Sequence, residues 1–292
     1  MVEGEKRYSE DEAWEEANEM KNAKWYGTAS AYEQAEKRAE FVVDAKKRIR
    51  KVLGDPTEYE KSLNADAKGS GYMYFDPEWC FEKGLVDEKM VSALERGASL
   101  LSVGTGRADL ERVLWKGYKI PKDKISIADI KLHTRAKRAP FSKFQFDMKG
   151  EWPDSLGKFD FIVFPESFGV AIDAGPGSMD AGVIYQDLKK DEEEGKIDAH
   201  MTELMRELEK GLSDAIKQEL VVIQQALLHL SEGGEIRMVG DLMGDYEEKE
   251  LQKILKETYP RIIFKRAEGR KVVGRRIETL LTIKIDKQQE EK

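Results

Sequence analysis

The sequence predicts an α/β protein. Its core is a mostly parallel seven-stranded sheet with helices on both faces and a C-terminal antiparallel hairpin, preceded by an N-terminal helical extension. Three observations predict it. From Leu85 onward, short apolar runs alternate with helical apolar spacing, as a parallel sheet with crossover helices requires. The run Leu100–Val103 leads straight into Gly104 and Gly106, followed by Leu110, Val113 and Leu114. That order reads as a strand, a tight turn and a helix start. The last two strand-like runs, Arg261–Arg266 and Ile277–Ile285, have no helix between them and should pair as an antiparallel hairpin.

Residues 1–70 read as the helical extension, 71–286 as the main domain and 287–292 as a tail. Ser9 with Glu12, and Ser30 with Glu33, carry capping-box spacing. The apolar set Tyr32, Ala35, Ala39, Val42, Ile49 and Val52 has helical spacing, Gly54 ends it, and Asp55-Pro56 restarts a short helix. Asn64 to Gly71 reads as a polar link. The aromatic cluster Tyr72, Tyr74, Phe75, Trp79 and Phe81 reads as the seam joining extension to core, with a pocket for a flat substrate as the second reading.

In the main domain Asp87 caps a helix through Leu94. The first strand is Ser99–Val103, with a helix at Ala108–Trp115; the second is Ile125–Ala128, closed by Asp129. Leu132–Ala139 is a short basic helix or loop, and a third strand at Lys143–Phe146 ends at Asp147. Phe159–Phe164 is almost wholly apolar, as in a strand buried on both faces. The segment Gly169–Asp198 reads as an insert: a lid over Gly169–Tyr185, then a surface loop with a disordered acidic end at Asp191–Glu194. A long helix over Ala199–Leu230, with a break near Gly211, leads through Gly233-Gly234 to a fifth strand, Glu235–Val239. Asp245 and Glu248 cap a helix ending near Tyr259.

Composition narrows the function. The 292 residues are 40% hydrophobic and 36% charged, with a net charge of −8, which argues against indiscriminate nucleic-acid binding. No apolar run is long enough for a membrane span, and the acidic start Met1–Lys6 lacks the apolar stretch of a secretory signal. The lone Cys80 excludes an internal disulfide and fits a reducing cytoplasm. His133, His200 and His229 lack ligand spacing, so no metal site is expected. His229, flanked by leucines, reads as structural and His133 as solvated.

Ligands of open α/β sheets sit beyond the carboxyl ends of the strands. There the chain offers Gly104 and Gly106, whose turn leaves N–H groups for a polar ligand. It also offers Asp129 to bind ribose hydroxyls, Asp147-Met148 for an exocyclic amine and an aromatic base, and Phe164-Pro165-Glu166-Ser167 facing the reacting end. Asp109 stands where a dinucleotide fingerprint needs Gly or Ala, and the Gly-Lys-Ser/Thr of a P-loop is absent.

On these residues, together with the Leu230–Gly234 turn and the terminal hairpin, the chain over about 85–285 resembles the class I S-adenosylmethionine-dependent methyltransferases. The resemblance implies S-adenosylmethionine as cofactor. Gly104 and Gly106 would lie at its methionine part, Asp129 at the ribose, and Asp147 with Met148 at the adenine. Ser102, Thr105, Ile130 and Pro165 complete the expected cofactor set, and Glu166 is the candidate to orient or deprotonate the acceptor. Ser102 departs from the pattern, since an acid usually stands two residues before the first glycine. The motifs of N6-amino and ribose 2′-O-methylation are unmatched, and no cysteine is placed for C5-pyrimidine methylation.

The acceptor is expected to be RNA or a small molecule. Basic residues cluster at 131–138 and 261–276, the footprint an RNA would need, and again at Lys46, Lys47, Arg48, Arg50 and Lys51. Two alternatives stand beside the methyltransferase: a degenerate methyltransferase fold acting as a binding or scaffold protein, and an aminopropyltransferase-like enzyme.

Overall fold

The computed structural model describes residues 29–70, 77–165, 178–240, 245–268 and 279–285. The Ser9–Glu12 capping pattern, Tyr72, Tyr74, Phe75, Glu166 and the basic residues Arg270 to Arg276 lie outside the described residues.

Among the described residues, seven strands form one sheet in the order β3-β2-β1-β4-β5-β7-β6. They are β1 (Leu100–Val103), β2 (Ile125–Asp129), β3 (Ser142–Gln145), β4 (Phe159–Phe164), β5 (Leu230–Gly240), β6 (Ile262–Glu268) and β7 (Thr279–Ile285). The first five pair in parallel, and β7 lies antiparallel between β5 and β6. This is the sheet that the methyltransferase resemblance implies. The order reverses between β1 and β4, the position at whose carboxyl ends open α/β sheets generally take their ligands.

Alternation along β1 makes the two faces. Leu100 packs into a core with Leu94, Val113, Leu114 and Ile125, while Leu101 and Val103 belong to a second core with Phe164, Val222 and Ile236. Asp160 fixes β4 beside β1: its Oδ2 accepts from the Ser99 amide at 2.8 Å and the Ser99 hydroxyl at 2.9 Å.

The helices are α1 (Ala29–Leu53), α2 (Pro56–Ser70), α3 (Pro77–Glu82), α4 (Glu88–Glu95), α5 (Asp109–Arg112), α6 (Thr134–Lys137), α7 (Ser178–Glu193), α8 (Ala199–Leu228) and α9 (Asp245–Thr258). Gly54 ends α1 at φ +99°, and Asp87 caps α4, its carboxylate accepting from the Met90 amide at 2.8 Å. The extension packs on the main core: Ala45 and Ile49 are buried with Phe81 and Leu114. Phe41 of α1 reaches across this seam, its ring 5.9 Å from that of Phe81 and 6.1 Å from that of Tyr118. Two of the expected α1 surface cations serve the same seam. Lys46 reaches Glu82 at 2.6 Å, and Arg48 donates to the Gly117 carbonyl at 2.6 Å.

Several expectations are corrected. Asn64 to Ser70 is helix rather than link, because α2 continues to Ser70. The helix after β1 has only one α-turn before it widens into a π-turn at Val113–Gly117. The insert is described only from Ser178, where it is mostly helix: α7 buries Tyr185 and Leu188 against Met205 and Leu212 of α8, and the acidic residues Asp191 to Glu193, expected as a disordered loop end, finish that helix. α8 runs unbroken through Gly211.

Candidate functional site

The glycine turn is built from backbone geometry. Gly104 and Gly106 take φ of +74° and +52°, a region open to glycine at little cost. Ala108 takes it too, at φ +60°, which is uncommon for a residue with a Cβ.

The turn's amides are not free, contrary to the expectation from sequence. The Ala128 carbonyl at the end of β2 accepts from Gly104 at 2.8 Å and from Thr105 at 3.3 Å. The Gly106 amide donates to Asp129 Oδ2 at 3.1 Å. The reason is register: Val103 pairs with Ala128, so β2 runs one residue past β1 and its end faces the turn.

Asp129 thereby joins two loops. Its other oxygen accepts from the Lys131 amide at 3.2 Å. Burial pushes its carboxyl above the usual aspartate range, against the opposing pull of the Lys131 and Gly106 amides. Beside it Ile130 is 53% exposed, a large apolar side chain uncovered next to a half-buried acid.

The other expected cofactor residues divide. Asp147 is exposed, and its carboxylate accepts from the Lys149 amide at 3.0 Å. Met148 is half-buried against the second core, and its carbonyl accepts from Trp152 Nε1 at 3.0 Å. Pro165 is half-buried just past β4. Ser102 is fully buried. It points to the face that α5 covers, so it has no surface to offer a ligand.

The residue that sequence reasoning missed is Glu111 on α5. Its side chain is 1% exposed, and its Oε1 accepts from the Thr105 hydroxyl at 2.7 Å. Burial raises its carboxyl, while the nearby Ser102 and Thr105 hydroxyls hold it back. Glu111 Oε2 completes no hydrogen bond among the described residues. A buried acid thus lies beneath the turn, contributed by the helix that follows it rather than by the end of β1. The available signal was the spacing of Thr105 and Glu111 across one turn and a helix start.

A buried ion network fixes the outer side of the turn. Arg107 Nε lies 2.9 Å from Asp109 Oδ2, and its Nη1 lies 3.2 Å from Asp66 Oδ2 on α2. The Tyr59 hydroxyl, also on α2, donates to Asp109 Oδ2 at 3.1 Å.

The histidines hold structure. His229 Nδ1 lies 2.8 Å from the Gly157 carbonyl, and its ring stacks on Trp152 at 5.8 Å. His133, expected to be solvated, is half-buried and caps α6, its Nδ1 accepting from the Arg135 amide at 3.2 Å. Among the described residues no three His, Cys, Asp or Glu side chains are grouped to hold a metal ion, and no helix is long and apolar enough to cross a membrane.

No protein-family model and no curated protein matches the chain. Among solved structures, it is similar to the plantazolicin methyltransferase BpumL in complex with SAH, at 13% identity and a TM-score of 0.43, over 86% of this chain and 99% of that one. It is also similar to DesVI of Streptomyces venezuelae at 11% identity and a TM-score of 0.44, over 76% and 98%. A third is the N-methyltransferase NodS of Bradyrhizobium japonicum WM9, at 13% identity and a TM-score of 0.37, over 68% and 93%. The fold is defined by the strand order and register themselves.

Proposed function

We propose that the chain is an S-adenosylmethionine-dependent methyltransferase acting on RNA or a small molecule, with the cofactor at the carboxyl ends of β1 to β4. One observation carries the reading. Asp129 is a half-buried acid clamped between the glycine turn and the loop after β2, beside the exposed Ile130, at the switch point of the sheet. Bound there, the cofactor supplies a methyl group already activated on a sulfonium.

The chain's own residues then have simple tasks. Asp129 accepts from the ribose hydroxyls, and its fixed amide contacts hold the carboxylate in place beforehand. Ile130 offers an apolar face, and Asp147 a carboxylate for an exocyclic amine. Glu111, buried beneath Thr105, holds the Thr105 hydroxyl and braces the turn from inside, with Ser102 beside it, so neither touches the ligand. Glu166, which follows Pro165 in sequence, orients the acceptor or takes its proton. Methyl transfer asks mainly for alignment, so no larger catalytic set is required. The basic residues of 131–138 support RNA as one acceptor class.

A second reading, a binding or scaffold protein on the same fold, is favoured by the amides of Gly104, Thr105 and Gly106, which are already taken within the chain. Calorimetric titration with S-adenosylmethionine and S-adenosylhomocysteine separates the two. Micromolar binding that is lost in Asp129→Ala is expected. A folded protein that binds neither ligand would overturn the methyltransferase reading.

A further inference from the structure

The extension and the main domain flank an open cleft that the cofactor site does not use. It has a volume of about 450 Å³, within the range of small-ligand pockets. One wall comes from the extension, with Val52 and Leu53 at the end of α1 and Tyr59 on α2. The other carries Arg112, Lys116, Arg135 and Arg138 around the indole of Trp115. Among the described residues no aspartate or glutamate lines it.

The charge in this cleft is left over after local pairing. Arg112 Nη1 lies 3.2 Å from Asp109 Oδ1, so it is matched. Lys116, Arg135 and Arg138 meet no carboxylate among the described residues. Arg135 is nevertheless held in place, its Nη2 donating to the Ser62 hydroxyl of α2 at 2.9 Å. Arg112 Nη2 donates to the Arg135 carbonyl at 2.8 Å and ties α5 to α6 within the basic wall. Trp115 is fixed edge-on against Phe141, with centroids 5.9 Å apart and planes at 88°. In a chain of net charge −8, three exposed cations without a carboxylate partner line one aromatic-walled cleft, Lys116 lying over the Trp115 ring at 5.1 Å, and mark an anion subsite.

We propose that this cleft binds a nucleotide-sized, phosphate-bearing ligand, its phosphate between Arg135 and Arg138 and its flat ring against Trp115. Arginine forks suit phosphate oxygens, and an indole suits any planar base. The extension is then part of a binding site, because it supplies a whole wall and the Ser62 contact that orients Arg135. The inference is independent of the cofactor reading, since no residue of the glycine turn and no atom of Asp129 lines the cleft.

The test is calorimetric titration of the full chain with uridine 5′-monophosphate, uridine, inorganic phosphate and an eight-residue oligouridylate. Arg138→Glu and Arg135→Glu are titrated alongside, their folding checked by thermal melting. One-site binding of uridine 5′-monophosphate is expected, at least tenfold tighter than uridine and at least tenfold weaker in either variant. Equal affinity for the oligonucleotide assigns the site to a free nucleotide, whereas tenfold tighter binding assigns it to a strand end. Absence of binding by both phosphate-bearing small ligands, or binding untouched in both folded variants, overturns the proposal. Titration with S-adenosylhomocysteine is run separately, so failure of the cofactor site and failure of this one give different results.

Discussion

The carboxylate of Glu111 accepts the Thr105 hydroxyl at 2.7 Å, placing a nearly inaccessible acid directly beneath the glycine turn. Its second oxygen completes no hydrogen bond among the described residues. A charged group in that position is costly unless something answers it.

Glu111→Gln tests this through pH. Burial raises the Glu111 carboxyl above its usual 4.5, so the folded state holds a proton that the unfolded chain has already released. The stabilisation from that proton is full below the unfolded value and is lost as pH rises through the raised folded value. Glutamine imitates the protonated form. The melting temperature of the wild type should therefore fall relative to Glu111→Gln as pH rises above about 4.5. Parallel melting curves across that range would show that Glu111 does not titrate with folding.

Gly234→Ala should destabilise by about 1–3 kcal/mol, the usual cost of forcing atoms into filled space. A Cβ there would sit 2.8 Å from the Asp160 carbonyl oxygen and 3.0 Å from the Ser231 carbonyl oxygen. Neither neighbour yields easily: both are backbone, and the Asp160 side chain is tied to Ser99. The glycine pair that reads as a turn in the sequence is thus also a close approach of β5 to β4. Thermal melting decides, and an unchanged transition would mean that the strands part at little cost.

His229→Ala should lower stability by about 1–3 kcal/mol, because the Gly157 carbonyl loses its partner in a largely buried site. Nδ1 must be the protonated nitrogen, since a carbonyl only accepts. Cofactor affinity should stay within twofold of the wild type. A tenfold loss of affinity at unchanged stability would instead give His229 a role at the ligand.

What was legible in the sequence follows from how local each signal is. Phe159–Phe164 could be read residue by residue because a strand buried on both faces is apolar throughout. Gly104, Gly106 and Asp129 were legible because turn geometry and a strand end leave marks on nearby residues. Glu111 was not, since a glutamate in a first helical turn usually faces water; its burial depends on the face of β1 that α5 covers. α7 was hidden for a related reason. Only Tyr185 and Leu188 among the described side chains are buried there, and charged neighbours mask them until α8 supplies Met205 and Leu212. The docking of α2 was equally non-local, because Asp66 and Tyr59 gain meaning only beside Arg107 and Asp109.

That docking gives the last prediction. The Arg107 side chain is 1% exposed and stands between Asp109, itself 4% exposed, and Asp66, 31% exposed. Its guanidinium also lies over the Tyr59 ring, 5.3 Å from the centroid. Arg107→Met keeps most of the volume but removes the charge, leaving Asp109 buried with the partly exposed Arg112 and the Tyr59 hydroxyl. Removing one partner of a buried pair costs about 3–5 kcal/mol. Asp66→Asn should cost far less, because Asp66 is partly hydrated and Arg107 keeps Asp109. Adding Asp109→Leu to Arg107→Met should recover part of the loss, since no buried charge is then stranded. Urea unfolding of the three variants measures the order. If Arg107→Met costs no more than Asp66→Asn, α2 is held by its apolar contacts, and the ion network on the glycine turn contributes nothing to its docking.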